Sequence, residues 1–205
     1  MIVMISCTYM YRINKLQNSP KLNRFAQIAR LGETVFHARD LANLWQIPSK
    51  NTLYTTLKRY TKQGLLHRVY KGLYTTQPLS EVGVTRLGMV ALDRFSYLSC
   101  ETVLAQAGIM QQQIVPITLV SSVSKRFTIE QFQYLTRQMP DRYLFNPYGL
   151  YTVNGVLTAS PERSVADLLY FNPEVYLDGA KYVNWKKVKQ TQSNIGFPVT
   201  PTRYI

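Results

Sequence analysis

An α+β protein built in two successive parts is what this sequence predicts, and three observations carry the prediction. Residues 38–62 show two stretches of helical spacing separated by a proline-containing turn, residues 65–76 read as a tight hairpin, and everything after residue 78 mixes helical spacing with β-branched runs and prolines. Charge is divided in the same way: residues 1–77 hold 12 Lys/Arg and 2 Asp/Glu, whereas residues 78–205 hold 12 and 9. The expected partition is an N-terminal extension or arm at 1–18, a first domain at 19–77 and a mixed α+β C-terminal domain at 78–205. Gln77-Pro78-Leu79-Ser80 forms the junction.

In the first part, Ser19-Pro20 supplies a cap and a first-turn proline for a helix bearing Leu22, Phe25, Ile28 and Ala29, which Gly32 stops. A second helix fits residues 38–45, and Gln46 to Pro48 make a tight turn. Ser49 then caps a third helix beginning near Lys50. Leu53, Leu57 and Tyr60 recur at i, i+4 and i+7 on one face, with Asn51, Thr55, Lys58 and Lys62 on the other, and Gly64 ends the helix. The following residues 65–76 place Leu66, Val69, Leu73 and Tyr74 around a Tyr70-Lys71-Gly72 turn. Three helices, a turn and a hairpin in this order make a winged helix-turn-helix, whose third helix enters the major groove of DNA.

The side chains on the free face of the third helix suit that task. Asn51, Thr52 and Thr55 carry the amide and hydroxyl groups that read base edges, while Lys50, Lys58, Arg59, Lys62 and, from the hairpin, Arg68 and Lys71 suit phosphates. A lysine-rich helix face alone is commonly solvated surface; the concentration of basic residues in 1–77 is what argues for double-stranded DNA as the partner. Tyrosines interleaved with these cations keep an RNA-binding or single-strand-binding protein in play. Tyr60 and Tyr74 are expected in the core, whereas Tyr54 and Tyr70 are open to either role.

The second part should contain a helix over 87–95, a second over 99–107 capped by Ser99 and ended by Gly108, and strands over 114–123, 133–137, 142–145 and 151–157, the last broken at Asn154-Gly155. Ser160-Pro161-Glu162 opens a helix that buries Val165, Leu168 and Leu169, and a last helix runs from Trp185 to about Ser193, capped by Asn184 and stopped near Gly196. Lys125 and Arg126 are possible contacts to nucleic acid or to an acidic partner, set against the ordinary basic pair of an exposed hairpin or loop. Lys186, Lys187 and Lys189 read as a solvated face. Arg163 and Asp167, at i and i+4, read as a surface salt bridge.

With 205 residues, 46% hydrophobic and 17% charged, the chain has the composition of a globular protein. A net charge of +13 favours an anionic partner. No apolar run approaches the ~18 residues of a membrane span, residues 1–11 lack the pattern of a signal peptide, and Cys7 and Cys100 cannot make a disulfide framework, so a bacterial cytoplasm is expected. Catalysis is not expected. A metal-dependent nuclease would draw on Glu101, Asp141, Glu162 and Asp167, whose spacing compels no shared site. No Cys/His spacing suggests zinc; His37 is expected to cap or pack at the second helix, and no phosphate loop or nucleophile turn occurs. No metal or cofactor is therefore called for.

The order of segments ARLGETVFHARDLANLWQIPSKNTLYTTLKRYTKQGLLHRVYKGLYT, YLSCETVLAQAGI, ITLVSSVSKRF, ASPERSVADLLYFNP and NWKKVKQTQSNIGF resembles the AbiEi-type antitoxins of bacterial abortive-infection, type IV toxin-antitoxin systems, over residues 25–197. The resemblance implies a winged helix that represses the antitoxin-toxin operon, with residues 50–62 as the operator-reading helix. It also implies a C-terminal domain that counters a nucleotidyltransferase-like toxin. Residues 1–18 depart from that pattern. A transcription factor of a mobile or phage-defence element with no toxin partner is the alternative, and an adjacent nucleotidyltransferase-like reading frame separates the two.

Overall fold

The structure, a computed structural model, describes residues 23–70, 72–111 and 116–199. The chain is α+β and divides into two compact units, Met1–Leu92 and Asp93–Ile205.

The first unit opens with α1 (Arg24–Leu31), whose cap is Asn23, its side-chain oxygen accepting from the Ala26 N–H at 2.8 Å. Ser19, Pro20, Leu22 and the 1–18 arm lie outside the described residues. Strand β1 (Val35–His37), too short for any alternation to announce it, leads into α2 (Ala38–Leu44). His37 takes the cap position there, its N–H donating to Asp40 Oδ2 at 3.2 Å. The turn that follows holds Gln46 at φ +53° and delivers the chain to α3 (Lys50–Lys62), where Ser49 Oγ accepts from the Thr52 N–H at 3.4 Å. Strands β2 (His67–Tyr70) and β3 (Leu73–Thr75) complete an antiparallel sheet of order β1-β3-β2. Ile28, Leu31, Phe36, Leu41, Leu44, Leu53, Leu57, Leu66 and Tyr74 form one core. Element order and pairing are those of a winged helix.

Helix α4 (Val84–Leu92) belongs to this unit, which moves the boundary from the expected 77/78 to 92/93. Arg86 pairs with Glu33, and the His37 ring donates from Nε2 to the Val90 carbonyl at 2.7 Å, so α4 is tied to the start of β1 and α2. The helix expected over 87–95 begins earlier and stops before Asp93, which sits at φ +58°.

The second unit is a six-stranded sheet of order β6-β7-β5-β4-β9-β8. Its strands are β4 (Ser96–Leu98), β5 (Ile117–Ser121), β6 (Lys125–Ile129), β7 (Phe132–Gln138), β8 (Leu150–Val153) and β9 (Val156–Ala159). β5/β7 and β4/β9 run parallel, and the other neighbours are antiparallel. The helices are α5 (Cys100–Gln106), a short α6 (Asp141–Leu144), α7 (Pro161–Phe171) and α8 (Trp185–Ile195), with α7 packing against both α5 and α8. The core gathers Tyr97, Leu104, Val120, Leu144, Val165, Leu168 and Val188.

Three expectations change here. Residues 142–144 are helix and Phe145 is its capping turn, not strand: Pro140 accepts from the Tyr143 and Leu144 N–H groups, each at 2.9 Å, and both side chains are buried. β4 was not foreseen, because Ser96-Tyr97-Leu98 has no polar alternation; all three residues are buried. Lys125 and Arg126 are exposed at the start of strand β6, which pairs antiparallel with β7 as a hairpin. The start of the strand expected over 114–123 falls partly outside the described residues, and β5 itself ends at Ser121.

Candidate nucleic-acid interface and the buried arginine

Helix α3 separates its side chains as its spacing predicts. Leu53, Thr56 and Leu57 are buried, whereas Lys50, Asn51, Thr52, Tyr54, Thr55, Lys58, Arg59 and Lys62 are exposed. Its first turn carries Lys50 and no acidic residue, so the positive end of the helix dipole is left with a cation beside it. Such an end is disfavoured in isolation and relieved by an incoming anion. Among the described residues, Lys50, Lys58, Arg59, Lys62 and Arg68 have no carboxylate at ion-pair distance.

Arg59 has a packing role besides its charge. Its guanidinium lies 5.5 Å from the centre of the Tyr60 ring, which meets Trp45 edge-on at 5.6 Å, so the cation is held by the helix's inner face. Arg68 is exposed on β2 opposite Tyr74. Burial pushes the Tyr74 phenol above its ordinary value, with Arg68 opposing the shift. Tyr74 is buried and Tyr60 half-buried, as expected; Tyr54 and Tyr70 are 42% and 41% exposed. The Tyr70 hydroxyl reaches the Ala91 carbonyl at 3.5 Å, tying the turn end of the hairpin to α4. Lys71 lies outside the described residues.

The second unit holds a cation of the opposite kind. Arg163 and Asp167, expected on the surface, are both fully buried. Arg163 Nε donates to Asp167 Oδ1 at 2.8 Å. Its Nη1 donates to the carbonyls of Asn146 (3.1 Å) and Tyr148 (2.8 Å), and Nη2 to Tyr97 Oη (2.8 Å) and the Tyr143 carbonyl (3.3 Å). All the donors of a guanidinium are thereby used. Burial opposes the cation, but the Asp167 charge and the hydrogen bonds that Arg163 donates to Asp167 and Tyr97 outweigh it, and the guanidinium stays charged with its proton affinity raised. Burial, with Asp167 next, pushes the Tyr97 phenol well above its ordinary value.

Ser99, expected to cap α5, stands at the cap position but donates its hydroxyl to Asp167 Oδ2 at 2.8 Å instead. Gly149 completes the cage: it sits at φ +73°, and a Cβ there would lie 2.9 Å from Arg163 Cβ. The arginine thus fastens residues 143–148 to α7. Tyr97, Asn146 and Tyr148 were not anticipated, and Ser99 was expected only as a cap. Their signal was present in α7, where Arg163 to Leu169 are buried without a break. Its sequence after Arg163 has one charged residue, Asp167, among apolar and small ones, and a charge pair inside such a helix must be internal.

The carboxylates considered for a nuclease are scattered into separate roles. Glu101 pairs with Arg137, Asp167 with Arg163, Glu162 lies 3.7 Å from Lys187, and Asp141 is exposed at the start of α6. Among the described residues no group of three His, Cys, Asp or Glu could hold a metal ion, and no helix is long and apolar enough to cross a membrane. Cys100, at φ +55° where β4 passes into α5, is fully buried. Burial pushes its thiol well above the ordinary value, so it packs as a neutral group. Lys125 and Arg126 are exposed on β6, with the Lys125 ammonium 5.5 Å from the centre of the Phe127 ring. Lys186 and Lys187 are exposed on α8, and Lys189 is half-buried.

No protein-family model and no curated protein matches the chain. Among solved structures, the RV2827C protein from Mycobacterium tuberculosis is similar over 85% of this chain and 70% of its own, with 15% identity and a TM-score of 0.46.

Proposed function

We propose that this chain is a DNA-binding transcription regulator and the antitoxin of a bacterial toxin-antitoxin pair, acting in the cytoplasm. Its first unit binds duplex operator DNA and represses its own operon, and its second unit counters a nucleotidyltransferase-like toxin. The observation that carries the DNA half is the exposed face of α3, which bears amide, hydroxyl, phenol and cationic groups and no carboxylate. The antitoxin half rests on the resemblance across residues 25–197.

Mechanistically the proposal is binding without turnover. Lys50, Lys58, Lys62 and Arg68 neutralise phosphates and release counterions, which supplies affinity without sequence information. Arg59 joins them from its place on Tyr60. Asn51, Thr52 and Thr55, in the first two turns of α3, read base edges. The helix N-terminus adds its dipole to the phosphate contacts.

The test is a mobility-shift titration against the chain's own upstream promoter, with random-duplex and single-stranded competitors at about 150 mM salt, where nonspecific phosphate binding is weakened. A shift that only promoter duplex competes away supports the regulator. Efficient competition by single strands would instead assign Tyr54 and Tyr70 to base stacking. Rescue of growth when the chain is produced with the product of an adjacent nucleotidyltransferase-like reading frame tests the antitoxin half.

A further inference from the structure

The two edges of the six-stranded sheet are defended differently. β6 exposes Lys125 and Arg126, and charge of this kind keeps an edge strand from pairing with another chain. At the other edge, β8 has β9 as its one neighbour among the described residues. Residues 143–161 contain no Asp, Glu, Lys, Arg or His. Nor does a bulge twist β8 away, since its register runs unbroken from Leu150↔Ala159 to Val153↔Val156.

Hairpin geometry fixes what this edge presents. Asn154 (φ +49°) and Gly155 (φ +77°) make a two-residue turn of the type that closes on a hydrogen-bonded pair, here Val153 and Val156. Alternation along an antiparallel ladder then aims the main-chain groups of Val153 and Tyr151 at β9, and the N–H and C=O of Thr152 outward. Tyr151 and Val153 share one strand face and are 44% and 43% exposed. The loop leading into the strand is held by Arg163 through the carbonyls of Asn146 and Tyr148, and the end of α6 before it through that of Tyr143.

We propose that β8 is a pairing edge for a second copy of this chain, antiparallel and strand to strand about a two-fold axis at Thr152. In that register each Thr152 exchanges both main-chain hydrogen bonds with its twin. Tyr151 of each copy falls directly opposite Val153 of the other, an aromatic on β-branched pair of the kind that stabilises sheets. The two exposed apolar side chains are covered twice by one symmetry operation, which is what a self-complementary interface requires. Charge selects this occupant. Two chains of net charge +13 repel across their basic surfaces and approach at least cost where the surface is neutral. A strongly charged partner would find no charge here to meet.

Sedimentation velocity of the full chain, from micromolar to near-millimolar concentration, tests the proposal without reference to DNA. The expected result is a monomer–dimer equilibrium that Val153→Lys converts to monomer at every concentration, with circular dichroism and thermal midpoint kept. Tyr151→Thr, which preserves strand propensity, should weaken the dimer severalfold and covers the case in which the lysine disturbs folding. Thr152→Cys, in a Cys7→Ser background, should give a disulfide-linked dimer under mild oxidation, because Cα atoms of a hydrogen-bonded pair lie ~5.5 Å apart, within disulfide reach. A wild-type chain that stays monomeric at the highest concentration would overturn the proposal, as would a dimer that survives both strand substitutions.

Discussion

Helix α3 carries several basic side chains and helix α7 one, Arg163, and they use them in opposite ways. On α3 the cations face solvent, and among the described residues no carboxylate pairs with them. On α7 the Arg163 guanidinium is fully buried, with Asp167, Tyr97 and three main-chain carbonyls consuming its donors. A cation with every donor occupied inside the protein has nothing left to offer a ligand, and its work is to hold the fold. A cation left with water still has its full interaction to give to an external anion. Partner count and burial, rather than residue type, divide structural from functional charge in this chain.

The sharpest way to break this contrast is to truncate Arg163. Arg163→Ala strands the Asp167 carboxylate and releases three carbonyls inside the second unit, and removing one partner of a buried pair costs on the order of 3–5 kcal/mol. The chain has two tryptophans, Trp45 in the first unit and Trp185 in the second. Denaturant unfolding followed separately with Trp45→Phe and Trp185→Phe backgrounds should show the loss in the Trp185 signal. Arg163→Lys should recover only part of it, because an ammonium cannot span five acceptors in one plane. A full recovery by lysine would mean that charge alone matters there.

On α3 the same kind of truncation should leave folding nearly untouched and act on DNA. Asn51→Ala is expected to cost about 1–3 kcal/mol of discrimination at one base pair of the operator and little on random duplex. Lys58→Ala should weaken operator and random duplex alike and reduce the salt slope by about one unit. Parallel binding titrations at several salt concentrations separate these outcomes. Equal losses on both duplexes in both variants would sink the division into base readers and phosphate contacts.

How much of this was legible beforehand follows from which physical signal each region carries. In the first unit, caps, a 3.6-residue period and a glycine stop are local features, so α2, α3 and the hairpin could be read from the chain. β1 and α4 could not be assigned to their places, because β1 has three residues and α4 joins this unit through Arg86 with Glu33 and His37 with Val90, contacts distant in sequence. In the second unit the helices after Ser160 and Asn184 were announced by their caps. The sheet order was not, since parallel pairing of β5 with β7 and of β4 with β9 leaves no short-range trace. Ser99 shows the limit most clearly. Its position before a helix predicts a cap, and only the arrival of Asp167 from α7 gives its hydroxyl a different partner.

One residue before Arg163, the same helix offers the control. Glu162 lies 3.7 Å from Lys187 of α8, but the lysine side chain is 64% exposed. Both ions keep much of their hydration, and pairs of this kind contribute about 0–1 kcal/mol, screened further by salt. Lys187→Ala should therefore shift the unfolding midpoint of the second unit only slightly, and the shift should shrink as ionic strength rises. The Arg163 effect should persist in high salt, because its partners are shielded from the solvent ions. A salt-insensitive loss for Lys187→Ala as large as that for Arg163→Ala would show that burial does not separate the two pairs. The adjacent positions Glu162 and Arg163 then serve as a matched test: one helix and one solvent condition, with the environment of the charge as the variable that differs.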